Sequence, residues 1–217
     1  MVFRAWDQID RAWPLYVAGL ALSLCGLALW DGWRPGPALR RWLAWGRGHW
    51  PELAALAAIL ALGFGLSLGG LEYFPPAGGI SWNDEAQMGK DAYDILHHGG
   101  RPWQFPTSSY PVALSFALFG PTTYALRFPF ACMGALVLVP FYFLARRVAG
   151  PLPALAGTFL FAVSRYRIAF VRLALPLTPD MLAAVIAFAC LARAARTGDK
   201  AAYYLAGVAL ALGMPSH

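Results

Sequence analysis

The apolar residues of this 217-residue chain are gathered into blocks of helix length, and that spacing limits the fold more than any motif does. A helix needs around 20 apolar residues, within a range of about 17–25, to cross the hydrocarbon core of a bilayer. Five blocks meet or approach that length: Pro14–Trp30, Leu53–Phe74, Ala125–Ala145, Pro151–Ser164 and Leu177–Ala192. The fourth and fifth are short, and each can borrow length from the Arg-containing stretch between them, where long side chains snorkel to the interface. A sixth block begins at Ala201 and is still running at His217, so the sequence reads as the front part of a longer polytopic protein. The expected fold is all-α, a bundle of transmembrane helices.

Composition agrees. Charged residues make up 13% of the chain, where soluble domains carry about 25%. The net charge of +6 does not point to nucleic acid, because the arginines stand at the ends of apolar blocks and not on one basic face. Cys25, Cys132 and Cys190 lie far apart inside apolar blocks and read as packing residues. The first block is flanked by Asp7 and Asp10 beside Arg4 and Arg11 and is followed by no small-x-small cleavage site, so it reads as a retained helix.

Sidedness follows from parity. Arg34, Arg40, Arg41 and Arg47 form one basic stretch, Arg146 and Arg147 a second, and Arg193, Arg196 and Lys200 a third. All three fall on one side, the cytoplasmic one by the positive-inside rule, if the apolar stretch Tyr110–Gly120 does not cross. Eleven residues of helix reach only about 16 Å, roughly half the core, so this stretch is expected to lie at the interface. The outer side then receives the loop 75–109 and the link Arg165–Pro179. The chain divides into an extra N-terminal helix with its basic loop, 1–50, and a helical module, 51–217.

The outer loop holds the acids. Five of the chain's 11 acidic residues fall between Glu72 and Asp94. Helical spacing puts Asp84, Met88, Asp91 and Ile95 on one stripe, with Glu85 one step around it. One reading is a solvated helix end, with Asn83 as N-cap and the two acids against the positive end of the helix dipole. A second reading brings in Arg165, Arg167 and Arg172 on the outer side, near Asp180, with Arg127 opening the next span. Guanidinium forks match the oxygens of a phosphate held at the interface. A sugar carried on a lipid phosphate needs no general acid once a cation neutralises the leaving group. It does need a carboxylate to take a proton from the attacking hydroxyl or amine.

Several motifs carry a family likeness. They are Trp82-Asn83-Asp84-Glu85-Ala86, Phe119-Gly120-Pro121-Thr122, Ala125-Leu126-Arg127-Phe128-Pro129, Tyr142-Phe143-Leu144-Ala145-Arg146-Arg147, Val171-Arg172-Leu173-Ala174-Leu175 and the run from Ala206 to Gly213. Together, from about Leu53 to His217, the chain resembles the N-terminal portion of the GT-C membrane glycosyltransferases, especially glycosyltransferase family 39, with its protein O-mannosyltransferases and aminoarabinose transferases. The resemblance implies an inverting transfer from a polyprenyl-phosphate sugar to a lipid, glycan or protein acceptor. The implied setting is the outer face of a bacterial inner membrane. It implies Asp84 as catalytic base with Glu85 beside it, and Arg172 on the donor side. Arg165, Arg167 and Arg127 join Arg172 as candidate ligands of the donor phosphate. Asp180 is a candidate second acid, displaced from the family's usual position, which Pro176 and Leu177 occupy here, and the family motif's Ser is Val171. No cofactor is assigned from these residues. A divalent ion, Mg or Mn, is left open and no metal ligand is assigned. A piece of this length is expected to be inactive alone. The alternative is a transporter or lipid-binding membrane protein without catalysis, which charges deep in spans or helices broken at the midplane would favour.

Among the remaining residues, Gly65-x-x-x-Gly69 reads as a helix-packing face. His97 and His98 point about 100° apart on a helix and make no zinc pair, and with Gly99 and Gly100 they are expected to end the loop helix. Trp82, Trp103 and Tyr110 suit an interfacial aromatic belt. Asp91 and Asp94 are expected to be solvated.

Overall fold

Membrane helices cannot rely on water being squeezed from between them, so the fold should be held by close backbone approach and by polar bonds that have nowhere else to go. The structure, a computed structural model, describes residues 46, 48–73, 83–99, 102 and 106–213. The chain forms two compact units, Met1–Trp50 and Pro51–His217. The expected span Pro14–Trp30, the basic residues Arg34 to Arg47, and Trp82 and Trp103 lie outside the described residues.

Every described element of the second unit is helical: α1 (Trp50–Leu68), α2 (Asn83–His98), α3 (Pro106–Phe119), α4 (Thr123–Leu136), α5 (Leu138–Ala149), α6 (Pro151–Val163), α7 (Arg165–Val171), α8 (Leu177–Thr197) and α9 (Lys200–Gly213). Three stretches are long and apolar enough to cross a membrane: Trp50–Leu68, Thr123–Ala149 and Leu177–Thr197. A fourth arises if α6 and α7, bent by 56° across Ser164, count as one broken span. The short fourth apolar block thus gains its length across the bend, through the Arg-containing stretch.

Two interruptions have local causes. Within the Thr123–Ala149 span the ladder lacks one bond near Val137, because Pro140, three residues on, has no N–H to give the carbonyl of Leu136; Val137 itself keeps helical φ and ψ and the helix runs on. After α5 the chain turns at Gly150, where φ is +88°, a conformation suited to glycine, and Pro151 opens α6.

The spans run alternately. Glu52 at the start of α1 meets Arg146 at the end of α5, and Leu71 just past α1 meets Arg127 near the start of α4. The first of these ends carries Arg146 and Arg147, with Arg193 paired to Asp199 at 3.0 Å. The opposite end carries α2, α3 and the α7–α8 link. Helices α8 and α9 pack through small residues, Ala187, Ala206 and Ala209, which let the backbones approach.

At the α2 end, Met88, Ala92, Val112, Ala113, Phe116, Ala125, Phe130 and Ala174 form one core. Helix α3 turns Val112, Ala113 and Phe116 inward and leaves Tyr110, Leu114 and Leu118 exposed. At 14 residues it reaches about 21 Å, too short to cross. It begins four residues ahead of the expected interfacial stretch Tyr110–Gly120. Helix α1 ends at Leu68, earlier than its apolar block, because Gly69 and Gly70 follow and Gly70 takes φ +66°. The packing glycine of α1 is Gly63, where a Cβ would collide with Leu138, and not Gly65, which faces open space.

Candidate functional site

The acidic helix is docked on the bundle. Its inward stripe is Glu85, Met88 and Ala92, at i, i+3 and i+7, so the same face that buries apolar side chains also buries a carboxylate. Such burial needs compensation. Arg127 supplies it: Nε donates to Glu85 Oε1 at 2.7 Å and Nη2 to Oε2 at 3.2 Å, a two-pronged contact. Both side chains are nearly closed to solvent, at 2% and 8%. A third donor, the Ala174 backbone N–H, reaches Oε1 at 3.3 Å. Arg127 also donates from Nη1 to the Leu71 carbonyl at 3.1 Å. One guanidinium therefore joins the end of α1, the start of α2 and the start of α4, and the carboxylate adds the α7–α8 link.

Arg172 reaches the same end of α1 from the other side. It donates to Leu66 O at 3.3 Å and Gly69 O at 2.5 Å, carbonyls that the end of the helix leaves without intrahelical donors. Burial, and after it the charge of Arg127, holds the Arg172 guanidinium below its ordinary pKa. The Arg127 and Arg172 guanidinium groups thus both hold the end of α1, through Leu71 O and through Leu66 O and Gly69 O.

The four arginines expected to hold a phosphate are divided by their surroundings. Arg127 is 1% exposed and engaged with Glu85, and Arg167 is 4% exposed and bonded within the bundle. Arg172 is 9% exposed and bonded to the end of α1, and Arg165, at the start of α7, is exposed. Asp84, in the first turn of α2, is half-buried next to the Glu85 pair. Asp180 is half-buried in the first turn of α8.

Two expectations about α2 have distinct outcomes. The helix ends at His98, followed by Gly99 at φ +61°, and Asp94 pairs with His98 at 3.3 Å. Asp91 is not solvated but 4% exposed, where Gln87 Nε2 donates to it at 2.7 Å, because the helix face it shares with Met88 is the docked one. Among the described residues no group of three His, Cys, Asp or Glu side chains is placed to hold a metal ion.

Sequence reasoning missed the backbone partners, Leu66 O, Gly69 O, Leu71 O and Ala174 N–H, which no side-chain pattern marks. It also missed the clamp at the opposite end, where Glu52 accepts from Tyr142 Oη and from Arg146. An acid in the first turn of an apolar block was the available signal for that clamp.

These features define a polytopic helical membrane protein with a buried carboxylate–guanidinium network at one end. The family described as dolichyl-phosphate-mannose-protein mannosyltransferase matches residues 101–217, more than half of the chain, and the chain belongs to that family of membrane glycosyltransferases. The matched stretch includes Arg127, Arg165, Arg167, Arg172 and Asp180, and begins after Asp84 and Glu85. Comparison with curated proteins and with solved structures gives no match.

Proposed function

We propose that the protein transfers a sugar of the mannose type from a polyprenyl-phosphate donor to an acceptor hydroxyl or amine at the outer face of the membrane, with inversion at the anomeric carbon. The observation that carries this reading is the docking of the acidic helix, through Glu85, on Arg127 and the Ala174 N–H, two residues beyond Arg172. In this arrangement Glu85 is the anchor and Asp84, its half-buried neighbour, is the base.

The acceptor oxygen attacks the anomeric carbon from the face opposite the phosphate. Its proton passes to the Asp84 carboxylate as the bond to the donor phosphate breaks. The leaving polyprenyl phosphate gains charge, which Arg172 and the exposed Arg165 stabilise; a preorganised cation acts most strongly where water is excluded. No proton needs to reach the leaving group. The basic ends of α5 and α8 face the cytoplasm in this reading, by the positive-inside rule. That puts α2 and α3 outside, where Tyr110, Leu114 and Leu118 meet lipid.

The test is transfer itself. The membrane-reconstituted protein, given a polyprenyl-phosphate mannose of defined anomer and candidate acceptors, releases polyprenyl phosphate and forms a product of the opposite anomer. Retention of configuration, or donor movement across the bilayer with no cleavage, contradicts the reading. The second outcome is what a transporter gives.

A further inference from the structure

Arg167 is the least expected cation in the bundle. Its side chain is buried, and its hydrogen-bond partners are the carbonyl of Ala162, the carbonyl of Gly134 and the hydroxyl of Ser67, none of them a carboxylate. Nη1 donates to Ala162 O at 2.9 Å, Nη2 to Gly134 O at 3.1 Å and to Ser67 Oγ at 3.0 Å, and Nε to Gly134 O at 3.3 Å. Ser67 in turn donates to Gly63 O at 2.7 Å. These acceptors sit on α6, α4 and α1.

The acceptors are not arbitrary. Past Ala162 the helix bends by 56° at Ser164; Ser164 N bonds back to Phe161 O, and the ladder resumes only with Ile168 N on Ser164 O. A bend of this kind leaves carbonyls without their helical donors, and Arg167 covers one of them. Gly134 lies within α4, and its lack of a side chain lets Val171 of α7 lie against that helix. One guanidinium therefore ties the α6–α7 bend to α4 and to α1.

We infer that Arg167 is a positioning residue: it fixes the α6–α7 bend against α1 and α4, and so sets where Arg172 and the Ala174 N–H stand relative to the acidic helix. The inference rests on the reading of Arg172 as a ligand of the donor phosphate. Geometry gives it leverage. Arg172 lies about 12 Å along the helix from Ser164, so relaxing the bend by about 10° moves it by roughly 2 Å. Displacements of that size at a reacting centre cost about 10²-fold or more in rate.

A double-mutant cycle on purified, reconstituted protein tests this, with donor KM read for a short-chain polyprenyl-phosphate mannose. Arg172→Ala is expected to raise donor KM roughly tenfold or more. Arg167→Met is expected to do the same without touching the donor, and Ser67→Ala, which removes one arm of the junction and leaves the charge, to raise it about 2- to 10-fold. In the Arg172→Ala background both increases should largely vanish, because the group they position is gone. If Arg167→Met does not fold, the Ser67→Ala cycle decides alone. Increases that multiply with that of Arg172→Ala overturn the positioning role while leaving the donor reading intact. A donor KM unchanged in Arg172→Ala overturns the donor reading and this inference with it.

Discussion

Glu85→Ala asks how much of the acidic helix's attachment comes from charge. The carboxylate it deletes receives Nε and Nη2 of Arg127 and the N–H of Ala174, at 2.7, 3.2 and 3.3 Å, in surroundings almost closed to water. Removing one member of a buried pair leaves the other charged and poorly solvated, which costs about 3–5 kcal/mol. Glu85→Gln is milder, because the amide oxygen still accepts from Arg127 while its NH2 faces another donor. That variant should lose about 1.5–3 kcal/mol, the worth of a hydrogen bond to a charged group. The combined Glu85→Gln, Arg127→Met variant removes the buried charge altogether. It should recover more than half of the Glu85→Ala loss, short of the contribution of the Arg127 bond to Leu71 O. Reversible unfolding of the detergent-solubilised protein with SDS reads these differences. A Glu85→Ala loss below about 1 kcal/mol would show that the apolar contacts of Met88 and Ala92 hold α2 by themselves. A double variant losing the sum of the separate Glu85→Gln and Arg127→Met losses would refute the pairing.

Other outcomes follow from the same contacts. Gly134→Ala forces a Cβ onto Val171 and should destabilise by about 1–3 kcal/mol in the same assay, whereas Gly65→Ala, facing open space, should be near neutral. Glu52→Gln loosens the clamp on Tyr142 and Arg146, so protease cleavage near the start of α1 should quicken while donor KM stays unchanged. Cysteines introduced at exposed His98 and at Gly198 should be labelled by a membrane-impermeant reagent from opposite sides of the membrane; labelling of both from the same side would contradict the proposed topology.

Much of the bundle was legible because membrane helices advertise their length. The block at Leu177–Ala192 and the one at Ala125–Ala145 became helices with ends shifted by a few residues, as hydropathy sets a span but not its caps. The short block Pro151–Ser164 became a helix that reaches spanning length only together with the following arginine stretch, and nothing in it specified a 56° bend. The burial of Arg127 and Arg167 was not legible. An arginine at the end of an apolar block usually snorkels, and only the spatial meeting of residues 67, 134, 162 and 167 turns one inward. Asp91 misled for the opposite reason: its helix is amphipathic, but which face docks depends on α3. Within the acidic pair, the family resemblance pointed to Asp84 as the base with Glu85 beside it, and nothing in the sequence marked Glu85 as the carboxylate that is buried. That burial depends on Arg127, 42 residues away from Glu85.

The most direct measurement is single-turnover sugar transfer by purified Asp84→Asn protein in lipid, alongside equilibrium binding of the same polyprenyl-phosphate mannose. Asn preserves the size of the side chain, and the Glu85–Arg127 pair that docks the helix is left in place. Donor binding should therefore stay at the wild-type level, while transfer falls by a factor on the order of 10²–10⁴, the usual contribution of a positioned general base. Wild-type transfer rates in Asp84→Asn would contradict the assignment of the base. Unchanged rates in Asp84→Asn and in the Asp84→Asn, Glu85→Gln double variant would contradict carboxylate catalysis at this site altogether.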